Sequence, residues 1–210
     1  MAASLIARLS GRLPGYCRAF RVIDKRLFRP ELARMAWSDT FLKAFKDNDV
    51  RLVTYVPDNV LTPLIAGVTS DNYFMPVCAT REDEAIGLAA GAWMGGMKSA
   101  VMMQTSGFAL TANALASLTV PSQIPTIMVI SERGTMGEFQ IAQTLVARTM
   151  RPVLDSLGIE HHTLTDEENL SFIVDRSIKQ AVMTQAPVAF ILSPLLTGGN
   201  PAGNAKMKPA

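Results

Sequence analysis

Three consecutive acidic residues, Glu82, Asp83 and Glu84, stand where an apolar segment gives way to a helix rich in alanine and glycine. Thr80 is a natural N-cap, and Asp83 follows it by three residues, as in a capping box. Acidic side chains in a first turn ordinarily complement the helix dipole, each for about 0.3–1 kcal/mol. A carboxylate there can also share a proton with a bound molecule, so Glu82 has both a structural and a chemical interpretation.

The helix that follows Glu82 has little side-chain bulk, because small residues occupy six of its positions: Ala85, Ala89, Ala90, Gly91, Gly95 and Gly96. Glycine disfavours a helix by about 1 kcal/mol relative to alanine, so this composition needs a compensating contact. Small residues let another backbone approach closely. The sequence leaves two partners open, namely the sheet of the same chain and a second subunit.

A second group of polar residues, Gln104, Thr105 and Ser106, follows an apolar run and precedes Gly107. Their amide and hydroxyl groups can hydrogen-bond a cofactor or a substrate. Alternatively, they cap an ordinary turn between a strand and a helix, with Gly107 easing that turn. Glutamine is unusual at the end of a buried apolar strand, which favours the functional interpretation for Gln104.

Arg133 lies in a glycine-flanked segment after another apolar run, together with Glu138 and Gln143. A guanidinium can bind an oxyanion through two parallel hydrogen bonds. We therefore predict that Arg133 binds the anionic end of a substrate, with Glu138 and Gln143 as weaker candidates. A solvated loop charge is the alternative for Arg133.

Strand-like and helix-like patterns alternate along the chain. The predicted strands are residues 51–56, 73–78, 99–104, 126–131, 159–164 and 187–192, and the predicted helices are residues 38–48, 60–68, 81–96, 108–119, 139–156 and 167–184. Continuous apolar strands separated by helices are typical of a parallel sheet that is buried on both faces. We predict a three-layer, doubly wound α/β fold with a six-stranded parallel sheet.

Ligands of such sheets bind beyond the carboxyl ends of the strands. The segments that leave predicted strands at that end are residues 57–59, 80–83, 104–107 and 131–138, and they contain most of the unusual polar residues. Pro57 lies in the first of them. The candidate site is therefore predicted at one edge of the sheet.

The net charge of +2 over 210 residues is unevenly divided, because residues 1–34 carry a net +6 and the remainder a net −4. A mildly acidic body gives no reason to expect nucleic-acid binding. No apolar run reaches the roughly 18 residues of a membrane span. Cys17 and Cys78 lie far apart and suggest neither a disulfide framework nor a zinc site, which fits a cytoplasmic, reducing compartment.

The chain divides at Met35 in this interpretation. Residues 1–34 form a basic extension, which is a transit peptide, upstream sequence outside the native start, or an arm that binds a partner. We predict the folded domain at residues 35–197. Residues 198–210 are rich in glycine, proline, asparagine and lysine, and we predict a disordered tail there.

The segment EDEAIGLAAG, from Glu82 to Gly91, resembles the glutamate helix of thiamine-diphosphate enzymes, in which a glycine follows the glutamate by nine residues. Residues 101–107 (VMMQTSG), 113–118 (NALASL) and 131–134 (SERG) resemble the sulfopyruvate and phosphonopyruvate decarboxylases. The resemblance covers roughly residues 36–199 and corresponds to the pyrimidine-binding domain of that superfamily. Order and spacing of these segments are more specific than any one of them.

This resemblance implies roles for the candidate residues. Glu82 is implied to hydrogen-bond N1′ of the cofactor's aminopyrimidine and so to promote loss of the thiazolium C2 proton, whereas Asp83 and Glu84 do not have the required spacing to Gly91. The implied cofactor-binding residues are Pro57, Glu82, Gln104, Thr105, Ser106 and Gly107. The implied residues for a small 2-oxoacid substrate are Gln104, Arg133 and Glu138.

The second domain of that superfamily binds the diphosphate through Mg²⁺ and is marked by Gly-Asp-Gly, a tripeptide that this chain does not contain. The resemblance therefore implies an alpha subunit without a metal site, and a separate beta subunit that carries Gly-Asp-Gly and Mg²⁺ in an alpha/beta hetero-oligomer. The implied reaction converts 3-sulfopyruvate to sulfoacetaldehyde and CO₂. Phosphonopyruvate, another short 2-oxoacid, and a non-catalytic regulatory subunit of the same fold are the alternatives.

Overall fold

A computed structural model describes residues 36–199 of the chain. Helices and strands alternate in the order α1 (Ala36–Asp47), β1 (Val50–Tyr55), α2 (Thr62–Ser70), β2 (Met75–Cys78), α3 (Glu82–Met94), β3 (Lys98–Gln104), α4 (Thr105–Ala114), a π-helical turn (Leu115–Thr119), β4 (Ile127–Ser131), α5 (Ile141–Ser156), β5 (Glu160–Leu164), α6 (Leu170–Thr184), β6 (Val188–Leu192) and α7 (Pro194–Thr197). The predictions for residues 1–34 and for the tail beyond Gly199 lie outside the described residues.

The strands form one sheet in the order β2-β1-β3-β4-β6-β5, and every neighbouring pair is parallel. This confirms the predicted six-stranded, doubly wound sheet. The chain runs from β1 outward to β2 and then crosses back to β3 on the other side of β1. The order therefore reverses between β1 and β3, and ligands of such sheets bind outside the carboxyl ends at a reversal of this kind.

Each face of the sheet has its own hydrophobic core, because successive side chains of a strand point to opposite faces. On β3, Ala100 and Met102 belong to the core covered by α1, α2 and α6, whereas Val101 and Met103 belong to the core covered by α3, α4 and α5. The central strands are buried on both faces, which explains their continuous apolar sequences.

Helix α1 shows how the outer layers attach. Trp37, Phe41 and Phe45 recur every four residues and form one buried stripe. The ring centroid of Phe41 lies 5.9 Å from that of Phe45 and 5.5 Å from that of Phe190 of β6, and both contacts are edge to face.

None of the helices within residues 36–199 is long and apolar enough to cross a membrane.

Two local predictions were wrong. The helix predicted from residue 108 begins directly after β3, at Thr105, and its last predicted turn is π-helical. The predicted capping box at Thr80 and Asp83 does not form, because Arg81 occupies the N-cap position and its guanidinium binds Asp83 at 3.0 and 3.1 Å.

Candidate active site

Helix α3 lies so close to the sheet that buried strand hydroxyls bond to its backbone. Thr54 of β1 donates to the carbonyl oxygen of Ala85 at 3.1 Å, and Ser99 of β3 donates to that of Ala89 at 3.1 Å. Both alanines are buried. Close packing on its own sheet therefore explains the small residues on the inner side of α3.

The glycines of α3 are not explained in that way. Gly87 and Gly91 are exposed, and a β-carbon added to either would meet no described atom within 4 Å. The described part of the chain gives these glycines no contact that requires their small size.

Glu82, the first residue of α3, is only 7% exposed. Among residues 36–199 no hydrogen bond or ion pair joins its carboxylate to another side chain or to the backbone. Removing a carboxylate from water is costly unless hydrogen bonds or charges replace the water. Glu82 is therefore a largely buried residue whose carboxylate has unused hydrogen-bonding capacity among the described residues.

The Glu82 carboxyl group rests against the backbone of Gly107 in the first turn of α4. A β-carbon on Gly107 would lie 2.1 Å from Oε1 of Glu82 and 2.3 Å from its carboxyl carbon, distances that no real contact allows. Any other residue at position 107 would collide with this carboxyl group or displace it. Gly107 thus forms one wall of the space that holds the Glu82 carboxylate.

The neighbouring acids of the same turn have partners. Asp83 is bound by Arg81, whose hydrogen bonds lower the pKa of Asp83. Glu84 accepts a hydrogen bond from the backbone N–H of Thr80 at 2.8 Å. Only one of these three acids, Glu82, is both buried and without such a partner within the described residues.

The end of β3 brings three predicted residues to the same place. Oε1 of Gln104 is buried and has no hydrogen-bond partner among the described residues, so this amide oxygen also has unused capacity. The side chain of Thr105 is fully buried; its hydroxyl donates to the carbonyl oxygen of Ser131 at 3.0 Å and accepts from the backbone N–H of Arg133 at 2.9 Å. Ser106 is half-buried.

Asp58, at the end of β1, is a residue that the sequence did not single out. Its Oδ1 accepts hydrogen bonds from the backbone N–H groups of Val60 and Leu61 and from the hydroxyl of Ser131 at 2.9 Å. Asp58 thereby ties the end of β1 to the end of β4. The preceding Pro57 is exposed. An Asp that follows Pro is a typical turn residue, and this was the available signal.

The loop after β4 is organised around Glu138. Arg133 donates to it from Nε at 2.8 Å and from Nη2 at 3.0 Å, and both side chains are less than a tenth exposed. The backbone N–H groups of Gly134, Phe139 and Gln140 also donate to Glu138. These bonds, those from Arg133 foremost, lower the pKa of Glu138 to about 2. The pairing raises the pKa of Arg133.

This arrangement bears on the predicted substrate-binding pair. Both oxygens of Glu138 accept hydrogen bonds from residues of the loop, so Glu138 stabilises the loop conformation. The fork between the two side chains uses Nε and Nη2 of Arg133, and Nη1 is the guanidinium nitrogen outside it. Gln143, at the start of α5, has a buried Oε1 without a partner among the described residues.

A second ion pair, also absent from the sequence-based predictions, anchors the same loop. Glu132 is 7% exposed and binds Nη1 of Arg151 on α5 at 2.7 Å, while Nη2 of Arg151 donates to Thr163 at the end of β5 at 2.9 Å. Arg151, the side-chain partner of Glu132, lies on the following helix, and no local sequence pattern indicates the pair.

The structure thus joins most of the predicted residues into one region at the carboxyl ends of the strands. Glu82 contacts Gly107, Thr105 of the same turn contacts Ser131 and Arg133, and Ser131 contacts Asp58. The region coincides with the reversal of strand order between β1 and β3. Among the described residues it contains the unpartnered carboxylate of Glu82 and the unpartnered amide oxygen of Gln104, and both can accept N–H groups of a bound molecule.

Comparison with solved structures identifies the class of domain. The chain aligns with 2-oxoglutarate:ferredoxin oxidoreductase from Magnetococcus marinus, solved with 2-oxoglutarate, coenzyme A and succinyl-CoA bound, at a TM-score of 0.59 and 16% sequence identity. The alignment covers 77% of this chain and 29% of that one. At this identity the similarity shows the fold alone, which is a three-layer α/β domain found within a larger enzyme.

Comparison with characterised sequences identifies the family. The chain is 32% identical over 161 residues to the sulfopyruvate decarboxylase subunit alpha of Methanocaldococcus jannaschii, covering 77% of this chain and 95% of that protein. It is 35% identical over 147 residues to the phosphonopyruvate decarboxylase of Streptomyces viridochromogenes, covering 68% of this chain and 36% of that protein. No family model matches the sequence. The chain belongs to the family of sulfopyruvate decarboxylase alpha subunits, which confirms the resemblance found in the sequence.

Proposed function

We propose that this chain is the alpha subunit of a two-subunit, thiamine-diphosphate-dependent 2-oxoacid decarboxylase that converts 3-sulfopyruvate to sulfoacetaldehyde and CO₂. One observation carries the proposal: Glu82 is a largely buried residue whose carboxyl group lies against Gly107 and has no partner among the described residues. A carboxylate held in this way is suited to a donor that arrives with a ligand. The enzyme alternative is thereby favoured over a non-catalytic subunit of the same fold.

The residues present fit the pyrimidine end of the cofactor. Glu82 shares a proton with N1′ of the aminopyrimidine, and Gly107 leaves the space in which its carboxyl group lies. Gln104 offers a buried amide oxygen to an N–H group, while Pro57 and Ser106 border the same end of the sheet. When bound, thiamine diphosphate supplies the thiazolium that accepts the electron pair of the carbon–carbon bond broken as CO₂ leaves. The chain orients and shields this chemistry.

Arg133 is proposed to meet the sulfonate of the substrate through the part of its guanidinium that lies outside the fork with Glu138. Glu138 acts there by holding Arg133 in place, since its own negative charge would repel an anion. Gln104 pairs with Ser131 of β4, which leads into this loop, and is the further polar group available to the oxoacid. Phosphonopyruvate is the second candidate, because the same guanidinium suits a phosphonate and a named phosphonopyruvate decarboxylase is 35% identical over 147 residues.

The chain contains no Gly-Asp-Gly, so we propose that a beta subunit carrying this motif binds the diphosphate and Mg²⁺, with the cofactor lying across the subunit interface. The near-full-length match to a protein named subunit alpha supports a split of this kind. We place the complex in the cytoplasm. Calorimetry on the isolated chain tests whether the diphosphate and Mg²⁺ site lies on the beta subunit. The chain alone should bind thiamine diphosphate and Mg²⁺ weakly, and tight Mg²⁺-dependent binding would refute the two-subunit arrangement.

Glu82→Gln in the assembled complex tests the proposal as a whole. Glutamine keeps the shape of the side chain but cannot share the proton, so kcat should fall by about 10²–10⁴, the range for a lost proton-transfer group. Asp83→Asn and Glu84→Gln are matched controls from the same turn and should keep turnover near that of the unmodified complex. A Glu82→Gln complex with full turnover would rule out this function for the site.

A further inference from the structure

Thr105 is a fully buried polar residue whose hydroxyl both donates and accepts a hydrogen bond within the described residues. Its side chain has no exposed surface, its hydroxyl proton goes to the carbonyl oxygen of Ser131, and its oxygen accepts from the N–H of Arg133. Both bonds cross from α4 to the segment that leaves β4. The buried threonines Thr111 and Thr119 instead bond only to carbonyl oxygens of their own helical segment.

The first turn of α4 lacks the usual means of fixing a helix start. Gln104 occupies the N-cap position and makes no side-chain capping hydrogen bond. The hydroxyl of Thr105 is therefore the polar anchor that ties this turn to its surroundings. Two residues further on, in the same turn, Gly107 touches the Glu82 carboxyl group.

We propose that Thr105 is a positioning residue: by tying the first turn of α4 to the Ser131–Arg133 segment, its hydroxyl determines where Gly107 holds the Glu82 carboxylate. The inference rests on the proposed function, because it concerns the residue that acts in that reaction. The Glu82 carboxyl group occupies the space that a β-carbon of residue 107 would fill, so a displacement of this turn moves the wall against which the carboxyl group lies.

The chain of bonds extends to a third strand end. The Ser131 hydroxyl donates to Asp58 at 2.9 Å, and the Ser131 carbonyl accepts from Thr105. The ends of β1, β3 and β4 are thus linked through Asp58, Thr105 and Ser131. Strand ends linked in this way place the acid and the loop that contains Arg133 at a set separation.

The test compares three variants of the full chain, each assembled with the partner subunit. Thr105→Val keeps the shape but removes both bonds, and kcat should fall by roughly tenfold to a hundredfold, as expected when a reacting group is misplaced by about 1 Å. The KM for 3-sulfopyruvate should change much less. Thr105→Ser retains the hydroxyl and should restore kcat. Thr111→Val, from the same helix, should lower the melting temperature and leave kcat unchanged.

A second readout does not depend on activity. Amide hydrogen exchange of the cofactor-free full chain should show a faster-exchanging Arg133 N–H in Thr105→Val, and normal protection in Thr105→Ser. Normal kcat in Thr105→Val would overturn the positioning role, as would a Thr105→Ser variant that is as impaired as Thr105→Val while Arg133 stays protected. Full turnover by Glu82→Gln would instead refute the proposed function, so the two failures are distinguishable.

Discussion

Two carboxylates at the same end of the sheet have opposite surroundings. Glu138 accepts five N–H groups, from two nitrogens of Arg133 and from the backbone of Gly134, Phe139 and Gln140. Glu82 accepts none from the described residues, although it is only 7% exposed. The hydrogen-bonding capacity of Glu138 is used by residues of its own loop. That of Glu82 is unused among the described residues and can accept N–H groups of a bound ligand.

The hydrogen bonds around Glu138 explain both its low pKa and its role in holding the loop. Charge-assisted hydrogen bonds from a guanidinium and backbone amides stabilise an ionised carboxylate, which is why the pKa of Glu138 falls to about 2. Such a group is suited to holding a loop and is poorly suited to exchanging a proton near neutral pH.

A glycine lies near each of these two carboxylates, Gly134 in the Glu138 loop and Gly107 against Glu82, and each is required for a different reason. A β-carbon at Gly134 would lie 2.1 Å from the backbone oxygen of Gln143, and φ there is +81°. A β-carbon at Gly107 would instead strike the side chain of Glu82. Gly134 thus permits close packing of two backbone segments, whereas Gly107 leaves room for the Glu82 carboxyl group.

Among substitutions of the residues around Glu82, the largest effect is expected for Gly107→Ala, which places a methyl group where the Glu82 carboxyl group lies. The carboxylate must move, and kcat of the assembled complex should fall by about 10², the cost of a misplaced group. Steady-state turnover with 3-sulfopyruvate measures this. Retention of wild-type kcat would show that the contact between Gly107 and Glu82 does not set the geometry of the reaction.

Glu138 should contribute to stability through its depressed pKa. A carboxylate whose folded pKa lies below the unfolded value stabilises the fold above the unfolded pKa, near 4.5, and loses that contribution as pH falls toward about 2. We expect about 2 kcal/mol, allowing for partial screening. Glu138→Gln should be less stable at pH 7, and the difference from wild type should shrink between pH 4.5 and 2. Denaturant titrations across this range measure it, and a pH-independent difference would contradict the ionised role.

Arg133→Ala should distinguish substrates by their second anion. A hydrogen bond to a charged group contributes about 1.5–3 kcal/mol, so KM for 3-sulfopyruvate should rise about tenfold or more. Pyruvate lacks that anion and should be affected much less. An equal rise in KM for both acids would contradict a substrate-binding role and show that Arg133 acts only as the structural partner of Glu138.

The smallest effect is expected for Gly87→Ala, the matched control for Gly107→Ala. Gly87 meets no described atom within 4 Å at its β-carbon position. Replacing glycine with alanine inside a helix should stabilise the isolated chain by about 0.5–1 kcal/mol. Thermal or chemical unfolding of the isolated chain tests this, and a loss of stability would reveal a contact at this position that the structure does not contain.

The fold was largely predictable because its signals are local and strong. Apolar runs such as residues 126–131 and 187–192 read directly as buried parallel strands, and the helices between them follow from periodicity. The start of α4 was misplaced because Thr105, Ser106 and Gly107 have the composition of a turn. The hydroxyl of Thr105 bonds to the next strand, and this lets the helix begin at once.

The sequence predicted at which edge of the sheet the candidate residues lie, but not the hydrogen bonds and ion pairs that join them. Residues that follow parallel strands must meet at one edge, so Glu82, Gln104 and Arg133 were expected near one another. Asp58 and Ser131 are 73 residues apart, and no local pattern indicates their bond. The same holds for the pairing of Glu132 with Arg151, which depends on how α5 crosses the sheet.

Exchange of the thiazolium C2 proton with deuterium in the assembled complex tests the central claim most directly, because this step precedes any contact with substrate. If the unpartnered Glu82 carboxylate activates the cofactor, Glu82→Gln should slow the exchange by about 10² or more, while Glu138→Gln, whose carboxylate is already saturated, should leave it unchanged. Near-normal exchange in the Glu82→Gln complex would contradict the assignment of this site.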